Sequence, residues 1–223
     1  MGKHEPAADR KEGGLPRLPP GRHGLPREFV TRNQRDRLAA GIIAAVAERG
    51  YHDATITEIA AAAAVSRRTF YGYFSSKEEC YLDTYAAIEG HALAAMREAG
   101  ATERGWSRRV RRELEALLET FAANPDLARF ALIAPPAAGA EIAERYRHFL
   151  ERLLGVVAEG MPKSARIPSE AAQFALAGGL AALIAGKVRA GDGELLPELL
   201  PDLLEVVLTP YLGRERAIAE ARR

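Results

Sequence analysis

Residues 55–82 read TITEIAAAAAVSRRTFYGYFSSKEECYL, and the reading of this stretch decides the fold. Thr55 offers an N-cap, and Glu58 three residues on completes a capping box just before Ile59 and Ala60. A short helix over 56–63 follows. Ala64-Val65-Ser66 makes a turn, with Ser66 as a second N-cap, and a second helix runs over 67–74. Phe70 and Phe74 lie four apart and bury together. That leaves Arg67, Arg68, Thr69, Tyr71 and Tyr73 on the outer side. Ser76 with Glu79 reads as a third capping box, opening a longer helix through Leu82, Tyr85, Ile88 and Leu93.

Two short helices joined by a three-residue turn, with cations opening the second, are what a helix-turn-helix needs. Such a second helix presents its N-terminal side chains to base edges in a major groove about 12 Å wide. Arg67 or Arg68 has the fork geometry for guanine. Thr69 suits a base or a thymine methyl. Tyr71 and Tyr73 carry hydroxyls suited to phosphates, which position without specifying. Lys77 sits in the first turn of the next helix, where a cation opposes the dipole and a phosphate explains it better. The alternative is a compact packing unit with a solvated arginine pair. It leaves two exposed tyrosines and Lys77 unaccounted for.

Upstream, a helix is expected from Glu28 or Thr31 to Arg49, with Leu38, Ile42, Ala45 and Val46 on one face. Arg32, Arg35 and Arg37 crowd its first half, again at the wrong end of the dipole, which suits phosphate contact, with a solvated face as the alternative. Gly50 is placed to stop it in a left-handed conformation. Residues 1–26 hold five prolines and five glycines among basic residues. Residues 1–27 are therefore expected to be a disordered basic arm, with a minor groove as one possible target.

Downstream, the chain is helical throughout. Trp106, Val110, Leu114, Leu117, Leu118 and Phe121 line one helix ending near Asn124-Pro125. A shorter one spans Asp126 to Ile133, before Pro135-Pro136. Glu141 to Glu159 carries Ile142, Tyr146, Phe149, Leu150, Leu153, Leu154 and Val157 at helical spacing. Ser169-Glu170 opens a helix to Ala190. The last helix starts at Leu196 or Pro201 and ends at Leu212. It is apolar nearly all round, so it must be covered on more than one side, and a homodimer built from these last two helices is expected.

The totals agree with an all-α reading. Hydrophobic residues make up 48% of 223 residues, and period-two β-branched runs are absent. Net charge is only +1 but unevenly placed, with 13 Lys+Arg against 8 Asp+Glu in residues 1–77. A basic first third suits an anionic partner such as DNA. Cys80 is the single cysteine, so no internal disulfide is possible, and a reducing cytoplasm is the expected compartment. The most apolar stretch, Ala171–Ile184, reads as too short to span a membrane. The histidines are dispersed, His91 and His148 are isolated, and no acid, base and nucleophile cluster. Neither a metal site, a cofactor nor an enzyme is expected. A helical small-molecule or lipid-binding protein without DNA binding is the remaining alternative.

The stretch ITEIAAAAAVSRRTFYGYFSSKEECYL resembles the DNA-binding signature of the TetR family of bacterial transcriptional regulators. The matching elements are T-x-x-x-IA, then VS, then an aromatic pair ending YF, then SKE before an apolar run. The resemblance implies a three-helix DNA-binding domain over 28–75 and a ligand-binding, dimerising helical domain over 76–223. It assigns operator contacts to Thr57, Ser66, Arg67, Arg68, Thr69, Tyr71 and Tyr73, with Lys77 on the backbone. The implied partners are a palindromic operator, a second copy of the chain and a small-molecule effector that lifts repression. For that effector, mostly apolar, the candidate lining is Trp106, Phe121, Phe130, Tyr146, Phe149, Gln173 and Phe174. Two positions depart from the pattern: Ala64 stands where glycine is common in the turn, and Tyr73 where histidine is common.

Overall fold

The computed structural model describes residues 27–223, with side chains from Arg32 onward; the expected N-terminal arm lies outside the described residues. Among them there are helices and no strand. α1 (Arg27–Arg49), α2 (Ile56–Ala62) and α3 (Arg67–Tyr71) precede α4 (Lys77–Gly100). The body is α5 (Trp106–Ala123), α6 (Pro125–Ala128), α7 (Ala140–Ala158), α8 (Glu170–Ala190), α9 (Leu200–Leu212) and α10 (Arg214–Ala221). Arg129–Ile133 continues α6 as a π-helical turn, and 3₁₀ turns cover Pro135–Ala137 and Gly193–Leu199.

The caps follow the sequence. Thr55 forms the full capping box with Glu58. The Ser66 hydroxyl accepts from Thr69 N, and that of Ser76 from Glu79 N. The third box differs in its return bond: Glu79 accepts from the backbone N–H of Ser75, one residue before the cap, at 2.6 Å. Gly50 stops α1 at φ +80°. α3 ends at Tyr71, three residues earlier than the pattern suggests, where the bonds tighten to i→i−3, Gly72 N–H reaching Thr69 O and Tyr73 N–H reaching Phe70 O. Phe70 and Phe74 still bury together, with ring centroids 5.8 Å apart.

One continuous apolar core runs from Leu38 through Ala221, so the N-terminal helices pack directly on the body. α4 is the shared element. Its Tyr81 hydroxyl donates to Phe130 O at 2.7 Å, and its Tyr85 hydroxyl to Ala131 O at 3.1 Å. The carboxylate of Glu89, fully buried on α4, is held by Arg145 and Arg152 of α7.

Two expectations about the last helices need correcting. α9 is apolar nearly all round, but α5, the Gly193–Leu199 turn and α10 cover it within the chain, leaving Val206 41% exposed. α10 has no counterpart in the sequence pattern, since only Ala217, Ile218 and Ala221 give it an apolar side. Arg111 of α5 caps its end, donating to Glu220 O and Ala221 O at 2.9 and 3.0 Å. Uncovered apolar surface also lies on α8, the other of the two helices expected at a dimer seam, where Phe174 and Leu183 are 60% and 48% exposed. α8 is also long and apolar enough to cross a membrane by length and composition, contrary to the expectation for Ala171–Ile184.

Candidate nucleic-acid interface

α2 and α3 are too short to hold an orientation by themselves; helices of five to seven residues are marginal without packing. α1 supplies the packing. Gly41 lies where α2 crosses, and a Cβ there would sit 2.6 Å from Ile59 O and 2.9 Å from Ala63 Cβ. The turn that follows is a Schellman motif: Val65 N–H reaches Ala60 O, and Ala64 N–H reaches Ala61 O. Ala64 takes its left-handed position at φ +50°, the one non-glycine residue with positive φ among those described. The Arg37 guanidinium donates to Ala64 O at 2.5 Å, tying the turn to α1.

The predicted contact residues fall into two groups. Thr57, Ser66, Arg67, Arg68 and Tyr71 are exposed, Tyr71 to 50%. Among the described residues, the guanidinium groups of Arg67 and Arg68 meet no acceptor. Ser66 and Thr69 hold each other, their hydroxyls 2.9 Å apart, so the cap occupies part of their hydrogen-bonding capacity.

Tyr73 and Lys77 are placed differently from the sequence expectation. The Tyr73 hydroxyl is turned inward and donates to Gln34 Oε1 of α1 at 2.8 Å. Lys77 Nζ donates to the carbonyls of Tyr51, His52 and Ala54 at 2.5, 3.2 and 2.9 Å, and lies 4.4 Å from the Tyr51 ring centre. Its three hydrogens are therefore occupied by the loop between α1 and α2. Burial holds its pKa below the usual lysine range. Arg35 is likewise engaged, by Asp83 of α4, with Nε to Oδ2 at 3.0 Å. Lys77, Arg35 and Arg37 each answer to acceptors of another element. A pattern along one helix does not contain those acceptors.

Cys80, near the N-terminus of α4, is fully buried, and burial pushes its thiol up to about 12, which makes it unreactive.

The candidate ligand residues do not form one pocket. Phe130 and Phe149 are fully buried core, stacked on Tyr81 and edge-on to Tyr85 respectively. Trp106 donates Nε1–H to Val157 O at 2.7 Å, packs edge-on to Tyr211, and lines a cleft with Arg108, Arg111 and Arg223. Phe121 does line an apolar cavity, of about 50 Å³, with Met96, Leu114, Leu132, Leu150 and Ile184. Tyr146, Gln173 and Phe174 line a separate groove of about 840 Å³ between α7 and α8. Leu150, Leu154 and Ala177 border both spaces. The sequence reading missed the leucines, because an aliphatic residue at helical spacing looks the same in a core and in a cavity wall.

Residues 40–84 match the family model described as bacterial regulatory proteins, tetR family. The N-terminal unit belongs to the TetR family. The TetR match begins inside α1 and ends in α4, so it covers Gly41, the turn and α3. The chain is also 36% identical over 77 residues to the HTH-type transcriptional regulator TcmR of Streptomyces glaucescens, a match spanning about a third (34%) of each chain. Beyond the TetR unit, the likeness is one of fold. The fatty acid degradation regulator FadR of Bacillus halodurans superposes with a TM-score of 0.68 at 20% identity, covering 78% of this chain and 97% of that one. The transcriptional regulator FadR of Bacillus subtilis, in complex with stearoyl-CoA, superposes at 0.63 with 18% identity, over 80% and 98%.

Proposed function

We propose that this chain is a cytoplasmic transcriptional repressor. It binds a palindromic operator as a homodimer and is released by a small, mostly apolar ligand. The observation that carries the reading is the state of Arg67 and Arg68. Both are exposed and, among the described residues, without acceptors, on a helix clamped at both ends in a TetR-type unit. Unpaired guanidinium forks at the start of α3 suit guanine edges, and Thr57 and Tyr71 flank them for phosphates.

A second copy is the natural cover for α8. Beside Phe174 and Leu183, its exposed side carries Ala171, Ala175, Gly178 and Ala182, small residues that let another helix approach closely. The apolar cavity supports the ligand half of the reading. At about 50 Å³ it is smaller than the few hundred Å³ that hold a ligand, so binding must part α7 from α8 along Leu150, Leu154 and Ala177. The stearoyl-CoA in the Bacillus subtilis neighbour fits a ligand with a long apolar part. Leu132 of the π-helical turn lines this cavity, while the carbonyls of Phe130 and Ala131 hold Tyr81 and Tyr85 of α4. Filling the cavity therefore acts on the helix that carries the DNA-reading unit.

The test is selection of bound fragments from a random duplex pool. An inverted repeat with half-sites about 34–36 Å apart is expected. Arg67→Ala with Arg68→Ala should abolish enrichment. Unchanged enrichment in that double variant would refute the DNA reading, and a monomer at micromolar concentration in sedimentation would refute the dimer.

A further inference from the structure

We infer that Gln34 and Arg37 of α1 are positioning residues that set the angle of α3, and so govern which DNA sequence is preferred without touching DNA themselves. This role rests on the DNA-binding reading above.

The geometry points there from three sides. Gln34, Arg37, Leu38 and Gly41 follow an i, i+3, i+4, i+7 spacing, so they share one face of α1 over two turns, about 10 Å. Leu38 anchors that face in the core. Arg37 holds Ala64 O, two residues before the N-cap of α3. Gln34 holds the Tyr73 hydroxyl, two residues after α3 ends. Gly41 admits α2 close enough for the turn to fall within reach of Arg37. α3 itself has five residues, about one and a half turns, and makes one fully buried anchor, Phe70. A single anchor leaves rotation about that point free. The two α1 hydrogen bonds, one at each end, remove it. Both side chains are half-buried, which shields these bonds from exchange with water.

A positioning role and a phosphate role differ in their salt dependence. A cation that neutralises a phosphate steepens the salt dependence of binding, by nearly one unit of log K against log salt. A positioning residue leaves that slope alone and changes the ratio of specific to non-specific affinity. The experiment uses the full chain, a duplex enriched from the random pool and a scrambled duplex of equal length, titrated across a salt series. Variants are Arg37→Met, Gln34→Leu, Tyr73→Phe and the Gln34→Leu/Tyr73→Phe pair, with Arg37→Lys as the donor-retaining control. Thermal melting of each variant verifies that it is folded.

Arg37→Met should reduce affinity for the enriched duplex about tenfold, with unchanged affinity for the scrambled duplex and an unchanged salt slope. Arg37→Lys should restore part of the loss. Gln34→Leu and Tyr73→Phe should each have the same effect, with the pair no worse than either alone, because both remove one bond. Repeated selection with Arg37→Met should return a relaxed consensus. Parallel loss on both duplexes with a slope flattened by about one would overturn the inference in favour of phosphate contact. An additive Gln34→Leu/Tyr73→Phe pair would overturn the Tyr73 half, as would an unchanged affinity ratio. If the wild-type chain enriches no sequence, the DNA reading falls and this inference with it. Enrichment lost in the Arg67 and Arg68 variants but unaffected by Arg37 and Gln34 variants would sink this inference alone.

Discussion

Gly41→Ala sets two known effects against each other at one atom. In an open helix interior, replacing glycine by alanine stabilises by about 1 kcal/mol through lower unfolded-state entropy. At Gly41 the new Cβ would stand 2.6 Å from Ile59 O and 2.9 Å from Ala63 N, and both are backbone atoms of the crossing segment. Neither can rotate away as a side-chain end would. To restore ordinary van der Waals separation α2 must retreat by roughly 0.8 Å, which forfeits a quarter to a half of the dispersion contact that Ile59, Ala60 and Ala63 make. Overpacking of this kind costs about 1–3 kcal/mol, and contact with fixed backbone places it near the upper end. The net expectation is a loss of about 2 kcal/mol, or a fall in Tm of about 4–8 °C for a chain of this size. Urea denaturation should show a lower midpoint with the same slope. Gly90, exposed in the middle of α4, is the control, since a Cβ there would meet nothing within 4 Å. Gly90→Ala should gain about 1 kcal/mol. The retreat also exceeds the roughly 0.5 Å tolerance of a functional constellation, so operator affinity should fall at least tenfold. A Gly41→Ala protein that melts at or above wild type, beside a Gly90→Ala protein that behaves as expected, would refute the close crossing of α1 and α2.

Ala64→Gly should raise stability by about 0.5–1 kcal/mol in chemical denaturation, since relief of the left-handed strain exceeds the entropy cost of glycine. Lys77→Met leaves three carbonyls of the 51–54 loop without their donor and should cost about 2–3 kcal/mol, measured by the urea midpoint, with the salt slope of DNA binding unchanged. Glu113, fully buried on α5, has its pKa raised to about 7 by burial, with the neighbouring Arg109 opposing the shift and Glu159 adding to it. Because its folded pKa lies above the ordinary carboxylate value, its contribution is fully present below about 4.5 and lost as pH rises through about 7. Stability should therefore fall with rising pH across that window by up to about 1.4 kcal/mol per pH unit, and Glu113→Gln should remove this component in a pH series of melts.

The local grammar of the chain was legible because it is written in nearest neighbours. Thr55, Ser66 and Ser76 cap helices where the sequence places them, Gly50 and Gly191 stop helices in left-handed conformations, and α8 begins at Glu170 and ends at Ala190 as its pattern requires. Even the turn at Ala64 was identifiable, since the helix before it and the N-cap after it leave only Ala64 and Val65 to reverse the chain. What stayed illegible involves partners distant in sequence. Nothing near α9 announces that α10 covers it, because α10 has too narrow an apolar stripe to stand out. Phe130 and Phe149 read as a ligand wall, yet their partners, Tyr81 and Tyr85, lie 49 and 64 residues away and pack them into the core.

The cations of the N-terminal unit show the same limit acting on one rule. Positive charge at a helix N-terminus opposes the macrodipole, so some other anion or acceptor must hold it. Lys77, the first residue of α4, follows that rule with the carbonyls of the 51–54 loop as its acceptors, whereas Arg35 and Arg37 lie in the third turn of α1, beyond the reach of its dipole, and are held by Asp83 and Ala64 O. With those three engaged inside the protein, Arg67 and Arg68 are left, among the described residues, as the pair without acceptors at the opening of α3. Of the internal set, Arg37 holds the turn before α3, while Arg67 and Arg68 are exposed at its start. The two positions where the chain departs from the TetR pattern, Ala64 and Tyr73, are the two that α1 grips through Arg37 and Gln34. A strained alanine turn and a tyrosine turned inward thus belong to one arrangement, in which α1 supplies the orientation that a five-residue helix cannot hold for itself.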